Sequence, residues 1–369
     1  SSVTDYERYL DLKTAISGVG YTYNGVKYTR EYFASYPDKA LVIKLDADTD
    51  GALSFTLRPT IPYEQTYAVM EGDHGGKHGT VTSSVENGVG NIVLSGALEY
   101  YDVDFMGIYN VYTDGGTVTA STVTNADGDK DGTIVVSGAD SAFIVVTLGT
   151  DYELSSEVFT SGDSQKPTHK TTIEDTKKKV EGYMNAINGK IYGESFEDAY
   201  NTLKNAHVAD HSELFGRVSL DLGCDSADFE RTTDELLSRY ESGIHSTYLE
   251  TLVFQYGRYL LISSSREDTL PANLQGVWNC HEKAPWGGTY FHNINVQMNY
   301  WPAFITNIGE TFDSYLDYNL AARQQAYSTA SNYIKADGNL TDIFHFSYRA
   351  GTSGSWLDPD EFVSAVYIK

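Results

Sequence analysis

The spacing of apolar residues changes once along this chain, near residue 162, and that change limits the fold more than any other feature. A strand sends successive side chains to opposite faces, so a half-buried strand reads as strict alternation. A helix gathers residues three and four apart on one face. Before residue 162 the pattern is alternation. Tyr21 and Tyr23 run into Asn24-Gly25 and on to Val26 and Tyr28, a hairpin with a type I′ turn dipeptide. Leu41, Ile43 and Leu45 alternate and lead through Asp50-Gly51 to Leu53, Phe55 and Leu57. A further turn is expected at Asp114-Gly115-Gly116, with Val118 beyond it. The unbroken run Ala142-Phe143-Ile144-Val145-Val146 predicts a strand buried on both faces. Many short strands with Gly and Asp turns predict an antiparallel β-sandwich.

The segment Ser161-Gly162-Asp163-Ser164-Gln165-Lys166-Pro167 reads as a linker, and helical spacing follows it. Val180, Tyr183, Met184 and Ile187 share one face, and Phe196, Tyr200 and Leu203 share another. Ser195 with Asp198 predicts an N-cap, and Thr232 with Glu235 a capping box opening a third helix. Leu249, Leu252, Val253, Tyr256 and Leu260 mark a fourth, and a fifth is predicted from about Thr311 to Lys335. An all-β first half is therefore joined to a helical second half.

Composition narrows the function. Of the 369 residues, 26 are Lys or Arg and 51 Asp or Glu, a net charge of −25. Phosphate backbones and anionic membranes are bound through clustered Lys and Arg, so nucleic acid and membrane surfaces are poor partners for this chain. No apolar run reaches the ~20 residues of a spanning helix. Two cysteines, Cys224 and Cys280, exclude a disulfide scaffold and a multi-cysteine zinc site, though one disulfide between them is allowed. Abundant Tyr (29 residues) beside sparse Lys and Arg is a balance found in secreted polymer-degrading proteins, so an extracellular location is expected. Neither end carries the polar tail of a natural terminus, and the chain is expected to be a segment of a longer protein.

Two segments imitate calcium loops, Asp46, Asp48, Asp50-Gly51 and Asp127, Asp129, Asp131-Gly132. The twelfth position of such a loop needs a bidentate Glu, and here it is Leu57 or Gly138, so both read as turns. His74 and His78 form one pair, and His207 and His211 another; the second has metal-binding spacing but lacks the intervening Glu of a zinc protease, and no metal is expected. Ser263-Ser264-Ser265 has no Gly-x-Ser-x-Gly frame.

The informative stretch is 257–307. Asn273, Gln275, Asn279, Asn293, Asn295, Gln297 and Asn299 are interleaved there with Trp278, Trp286, Tyr300 and Trp301. Sugar hydroxyls need partners that both donate and accept, and the C–H face of the ring needs an aromatic surface. A buried junction whose amides satisfy one another would read the same way. If Asn293-Ile294-Asn295 is extended, both amides point to one side.

At this stretch, in Gly257 to Arg266, Leu270 to Asn279 and Phe291 to Ala303, and again at Leu214 to Gly223 and Tyr6 to Tyr36, the chain resembles glycoside hydrolase family 95, the inverting 1,2-α-L-fucosidases. The resemblance implies a β-sandwich over residues 1–161, a helical linker over 162–222 leading into a barrel, and the first part of an (α/α)6 barrel over 223–369. It implies an exo-acting glycosidase that removes terminal α-L-fucosyl residues from oligosaccharides or glycans with inversion and needs no cofactor. Asn293 and Asn295 match the family's catalytic Asn-x-Asn pair, in which an amide carbonyl takes a proton from the attacking water while an aspartate polarises it. A neutral amide is too weak a base unaided, so that partner is physically required. His292, Trp286, Asn273 and Gln275 are candidate sugar-binding residues. Asp358, Asp360 and Glu361 match no family motif, and both the partner aspartate and the general acid are expected beyond Lys369. The 369 residues alone are therefore expected to be inactive. Phe291 stands where the family carries a sugar-binding His, which opens an α-L-galactosidase as the alternative. A non-catalytic carbohydrate-binding protein on the same fold is a second rival, and a phosphorylase a third that the low Lys and Arg content disfavours.

Overall fold

The computed structural model describes residues 2–61, 77–98, 103–125, 128–160, 172–278, 290–292, 294–337, 349–351 and 354–356. They fall into two compact units, one holding the described residues up to Asp210 and the other most of those from His211 on.

The first unit is built on antiparallel strands β1 (Val3–Asp11), β2 (Ile16–Tyr23), β3 (Val26–Ser35), β4 (Ala40–Ala47), β5 (Leu53–Leu57), β6 (Lys77–Glu86), β7 (Val89–Leu98), β8 (Val103–Thr124) and β9 (Lys130–Thr150). Their order is β1-β2-β3-β4-β9-β8-β7-β6, with β5 added along β9. The hairpin expected at Asn24-Gly25 is present, with φ of 54° and 82° at the two turn residues and Tyr23 opposite Val26.

β8 and β9 are long enough to serve both layers of the sandwich. The near half of β9 pairs with β4, from Ala40 opposite Thr147 to Asp46 opposite Ser141. Its far half pairs with β5, with Leu57 opposite Ile134. No turn interrupts β8 at Asp114-Gly115-Gly116, which corrects the sequence expectation. The ladder steps there instead: Asp114 faces Ser141, Gly115 faces Ala139, and Asp140 is left over as a bulge. Two glycines suit a bulge as well as a turn, and Gly116, at φ 67°, needs to be one because a Cβ would lie 2.6 Å from the Ala139 nitrogen. The Asp140 carboxylate accepts from the Gly51 amide at 2.6 Å.

Alternation along β9 then separates two cores. Ala142, Ile144 and Val146 join Leu53, Val81, Ile92, Leu94 and Val136 between the layers. Phe143 and Val145 face the other way, against helices α2 (Ile173–Ile191) and α3 (Phe196–Phe215), where Val180, Met184, Ile187, Tyr200 and Leu203 cover them. The run at 142–146 is thus buried on both faces, as its apolar continuity predicts. Asp46, Asp48 and Asp129 lie in or beside turns: Asp48 accepts from the Lys27 amide, Asp46 from Ser141, and the Asp129 amide donates to Asn125. Asp127 lies outside the described residues, as does the linker expected at 161–167. A short helix α1 (Ser156–Thr160) follows the sandwich.

Helix α3 starts on its expected cap, with the Asp198 amide donating to the Ser195 hydroxyl at 3.2 Å. In the second unit α4 (Thr233–Glu241) carries the full capping box between Thr232 and Glu235. Helix α5 (Thr247–Ser264) is where expected, but its buried face is Leu249, Arg258, Leu261 and Ile262, whereas Val253 and Tyr256 are exposed. The apolar count favoured the wrong stripe because the buried one contains an arginine. Short helices α6 (Asn295–Tyr300) and α7 (Pro302–Ile305) precede a 3₁₀ turn, Gly309–Phe312, and the long helix α8 (Asp313–Asp337), within two residues of its predicted ends. A pair of three-residue strands, β10 (Arg349–Gly351) and β11 (Gly354–Trp356), completes the described elements.

Candidate active site

The segment after α5 is held by one tyrosine. Tyr300, the last residue of α6, is only 3% exposed, and its hydroxyl receives the Ala272 amide at 2.7 Å and shares a hydrogen bond with Ser265 at 2.8 Å. Burial raises its pKa, so it remains a neutral phenol. Its ring stacks on Tyr315 of α8, centroids 5.0 Å apart, and meets Phe312 edge-on. Beside it, the Asn299 amide donates to the carbonyls of Ala272 and Asn273 at 3.2 and 3.0 Å. Two neighbouring residues of α6 therefore hold the 272–276 turn through its backbone.

That turn presents two candidate sugar residues. Asn273 and Gly276 exchange both backbone hydrogen bonds, and the Asn273 side-chain oxygen accepts from the Gln275 amide at 2.8 Å. Gly276 adopts φ 72°, and a Cβ there would lie 2.4 Å from the Trp278 ring. The Gln275 side-chain oxygen is shielded from solvent and has no hydrogen-bond partner among the described residues. Asn273 and Gln275 are thus brought to the C-terminal end of α6.

Asn295 opens the same helix and is exposed. Ile294 before it has φ −147° and ψ −35°, so the backbone is already turning into α6 and the extended reading of this segment does not hold. Val296, completely buried, and Tyr300 form the inward face that drives the helical conformation. Asn293 and Trp286 lie outside the described residues.

His292 is 3% exposed. Its ring lies against Tyr318 at 5.4 Å and Tyr315 at 6.1 Å, both nearly parallel, with Tyr290 at 6.1 Å. Burial pushes its pKa down to about 4, so the imidazole is neutral at physiological pH. The other histidines singled out by spacing separate: His207 stacks on Phe33 at 4.8 Å, and His211 on Phe215 at 5.5 Å. His78 is the second residue of β6, and His74 lies outside the described residues.

Arg258 was not singled out by sequence reasoning. It is 2% exposed, and its guanidinium donates to the carbonyls of Leu214, Phe215 and Val218 and to Gln255. It caps the C-terminal end of α3 and fixes the chain that follows. A signal existed, since Arg258 stands at helical spacing with Leu261, Ile262 and Ser265. Nearby, Arg217 bridges Glu213 and Glu310, which keeps its own pKa high.

Amides, aromatic faces and a pinned turn thus lie together in this segment, and comparison with known proteins shows similarity to glycoside hydrolases. Residues 199–358 match "Glycosyl hydrolase family 95 catalytic domain", and residues 1–155 match "Glycosyl hydrolase family 65, N-terminal domain". The helical half of this chain is thus similar to family 95 catalytic domains, and it is preceded by a β-sandwich. Among curated relatives, "Alpha-L-fucosidase 2" of Arabidopsis thaliana is 31% identical over 90% of this chain and 38% of its own length. "Probable alpha-fucosidase A" of Aspergillus niger is 28% identical over 98% of this chain and 39% of its own length. The protein of the same name from Aspergillus oryzae is 31% identical over 86% of this chain and 39% of its own length. The chain thus spans about two fifths of the length of the curated relatives it matches. No described helix is long and apolar enough to cross a membrane.

Proposed function

We propose that the whole protein is an exo-acting, extracellular glycoside hydrolase that removes terminal α-L-fucosyl residues from oligosaccharides or glycans with inversion of configuration. The observation that carries this reading is the family 95 match across the segment that bears Asn295, joined to relatives named as fucosidases. In this reading Asn293 and Asn295 orient the attacking water, and an amide oxygen takes its proton. A carboxylate beside that amide makes it basic enough to do so. A second carboxylic acid protonates the leaving oxygen from the opposite side, ~6.5–9.5 Å away, which leaves room for the water. Asn273, Gln275 and Trp286 supply the sugar's hydrogen bonds and stacking face; Gln275 offers a shielded oxygen to a hydroxyl donor. Phe291, in the place of an expected sugar-binding His, favours a second reading in which α-L-galactosides are also accepted.

The test uses the whole protein on an aryl α-L-fucoside, with proton NMR following the anomer released. The β-anomer should appear first, and Asn295→Ala should lower kcat at least ~10²-fold, the scale of a lost acid/base contribution. Initial release of the α-anomer, or near-normal turnover in the variant, would overturn the reading.

A further inference from the structure

Phe291 adopts φ 47°, in the left-handed region that a bulky side chain avoids. Strain of this kind persists only where the surroundings over-determine the backbone. Here they do so on both sides. Tyr290 and His292 are both buried, and both rest on the ring of Tyr318, at 4.6 and 5.4 Å. The chain is therefore pinned immediately before and after Phe291. On the far side Val296 is fully buried, and its amide reaches back to the Phe291 carbonyl at 3.3 Å. The bond ties Phe291 to Val296, and Asn295, next to that buried valine, is exposed.

We propose that Phe291 is a positioning residue that acts through its backbone: its left-handed conformation lets its carbonyl accept from the Val296 amide and sets the direction in which Asn295 is presented to the glycoside. The side chain itself is incidental to this role. The inference rests on the function proposed above for Asn295, and it makes the residue before His292 a determinant of kcat. An amide that must meet a water and a sugar carbon together gains from a backbone held in place, because a displacement of about 1 Å costs about 10²-fold in rate.

The whole protein carrying Phe291→Gly, Phe291→Asn or Phe291→Val separates backbone from side chain. Glycine and asparagine accept the left-handed region, whereas a β-branched residue resists it. The valine variant should have a kcat at least ~10-fold below the other two, with KM changed less than kcat. Hydrogen exchange at the Val296 amide should be fast in the valine variant and slow in the glycine and asparagine variants. Equal loss in all three variants, with raised KM, would make the phenyl ring a sugar contact and overturn the inference. Uniform slow exchange at Val296 would overturn it as well. Failure of the wild-type protein to turn over either an α-L-fucoside or an α-L-galactoside would instead refute the function proposed above. The exchange pattern would still judge the bond between Phe291 and Val296.

Discussion

Replacing Tyr300 by Phe removes one oxygen and leaves the ring stack with Tyr315 in place. The oxygen accepts the buried Ala272 amide and holds the Ser265 hydroxyl. Leaving a buried N–H without an acceptor costs about 1–3 kcal/mol, and the lost hydroxyl–hydroxyl bond adds about 1. The missing oxygen leaves too little space to add a large cavity term. The expected destabilisation is therefore about 2–4 kcal/mol, or a fall of about 5–15 °C in Tm for a unit of this size. Urea unfolding of the whole protein, monitored by tyrosine and tryptophan fluorescence, measures it. Because Ala272 is the first residue of the turn that carries Asn273 and Gln275, KM for the glycoside should rise too. A loss below about 0.5 kcal/mol would mean that water replaces the hydroxyl at no cost, and the reasoning about the turn would fail.

Arg258→Ala should destabilise by at least about 3 kcal/mol, since three backbone carbonyls lose their donor and a cavity opens, and Arg258→Lys should restore only part of this because an ammonium lacks the planar fork. Denaturant midpoints of the three proteins decide it. His292 makes stability depend on pH: its folded pKa of about 4 lies below the unfolded value of about 6.5, so the unfolded chain binds the extra proton between them. Its contribution is complete above pH ~6.5 and is lost as pH falls toward 4, by up to about 3 kcal/mol, and His292→Phe should flatten that part of the stability profile. With Phe291 in place of a hydrogen-bonding partner, the whole protein should discriminate between α-L-fucoside and α-L-galactoside by no more than about 10–200-fold in kcat/KM.

Much of the fold was legible because hydrophobic spacing reports burial directly. The Asn24-Gly25 hairpin, the doubly buried run at 142–146 and the caps at Ser195 and Thr232 each follow from local chemistry that tertiary structure had no reason to override. Asp114-Gly115-Gly116 misled because a bulge and a turn ask for the same left-handed glycines, and only the partner strand distinguishes them. On α5 the buried stripe was hidden by Arg258, a charge kept inside by carbonyls 40–44 residues away in sequence. At the candidate site the amide-rich composition marked the right stretch. It could not separate Asn299, whose amide holds the turn, from Asn295, which the fold leaves exposed. That division depends on Tyr300 reaching Ala272 across 28 residues, and pairings of that range leave no periodic trace.

The two layers of the sandwich share one ribbon, because β8 and β9 stay paired from Phe105 opposite Thr150 to Thr124 opposite Lys130, with a single bulge at Asp140. Sandwiches made of separate sheets have a seam along which one layer can part from the other. This one has none at the ribbon, since opening either layer means breaking a ladder that the other also needs. Both cores are therefore tied to a single cooperative event, and the order in which the remaining strands add to the ribbon matters more to its folding than which layer they join.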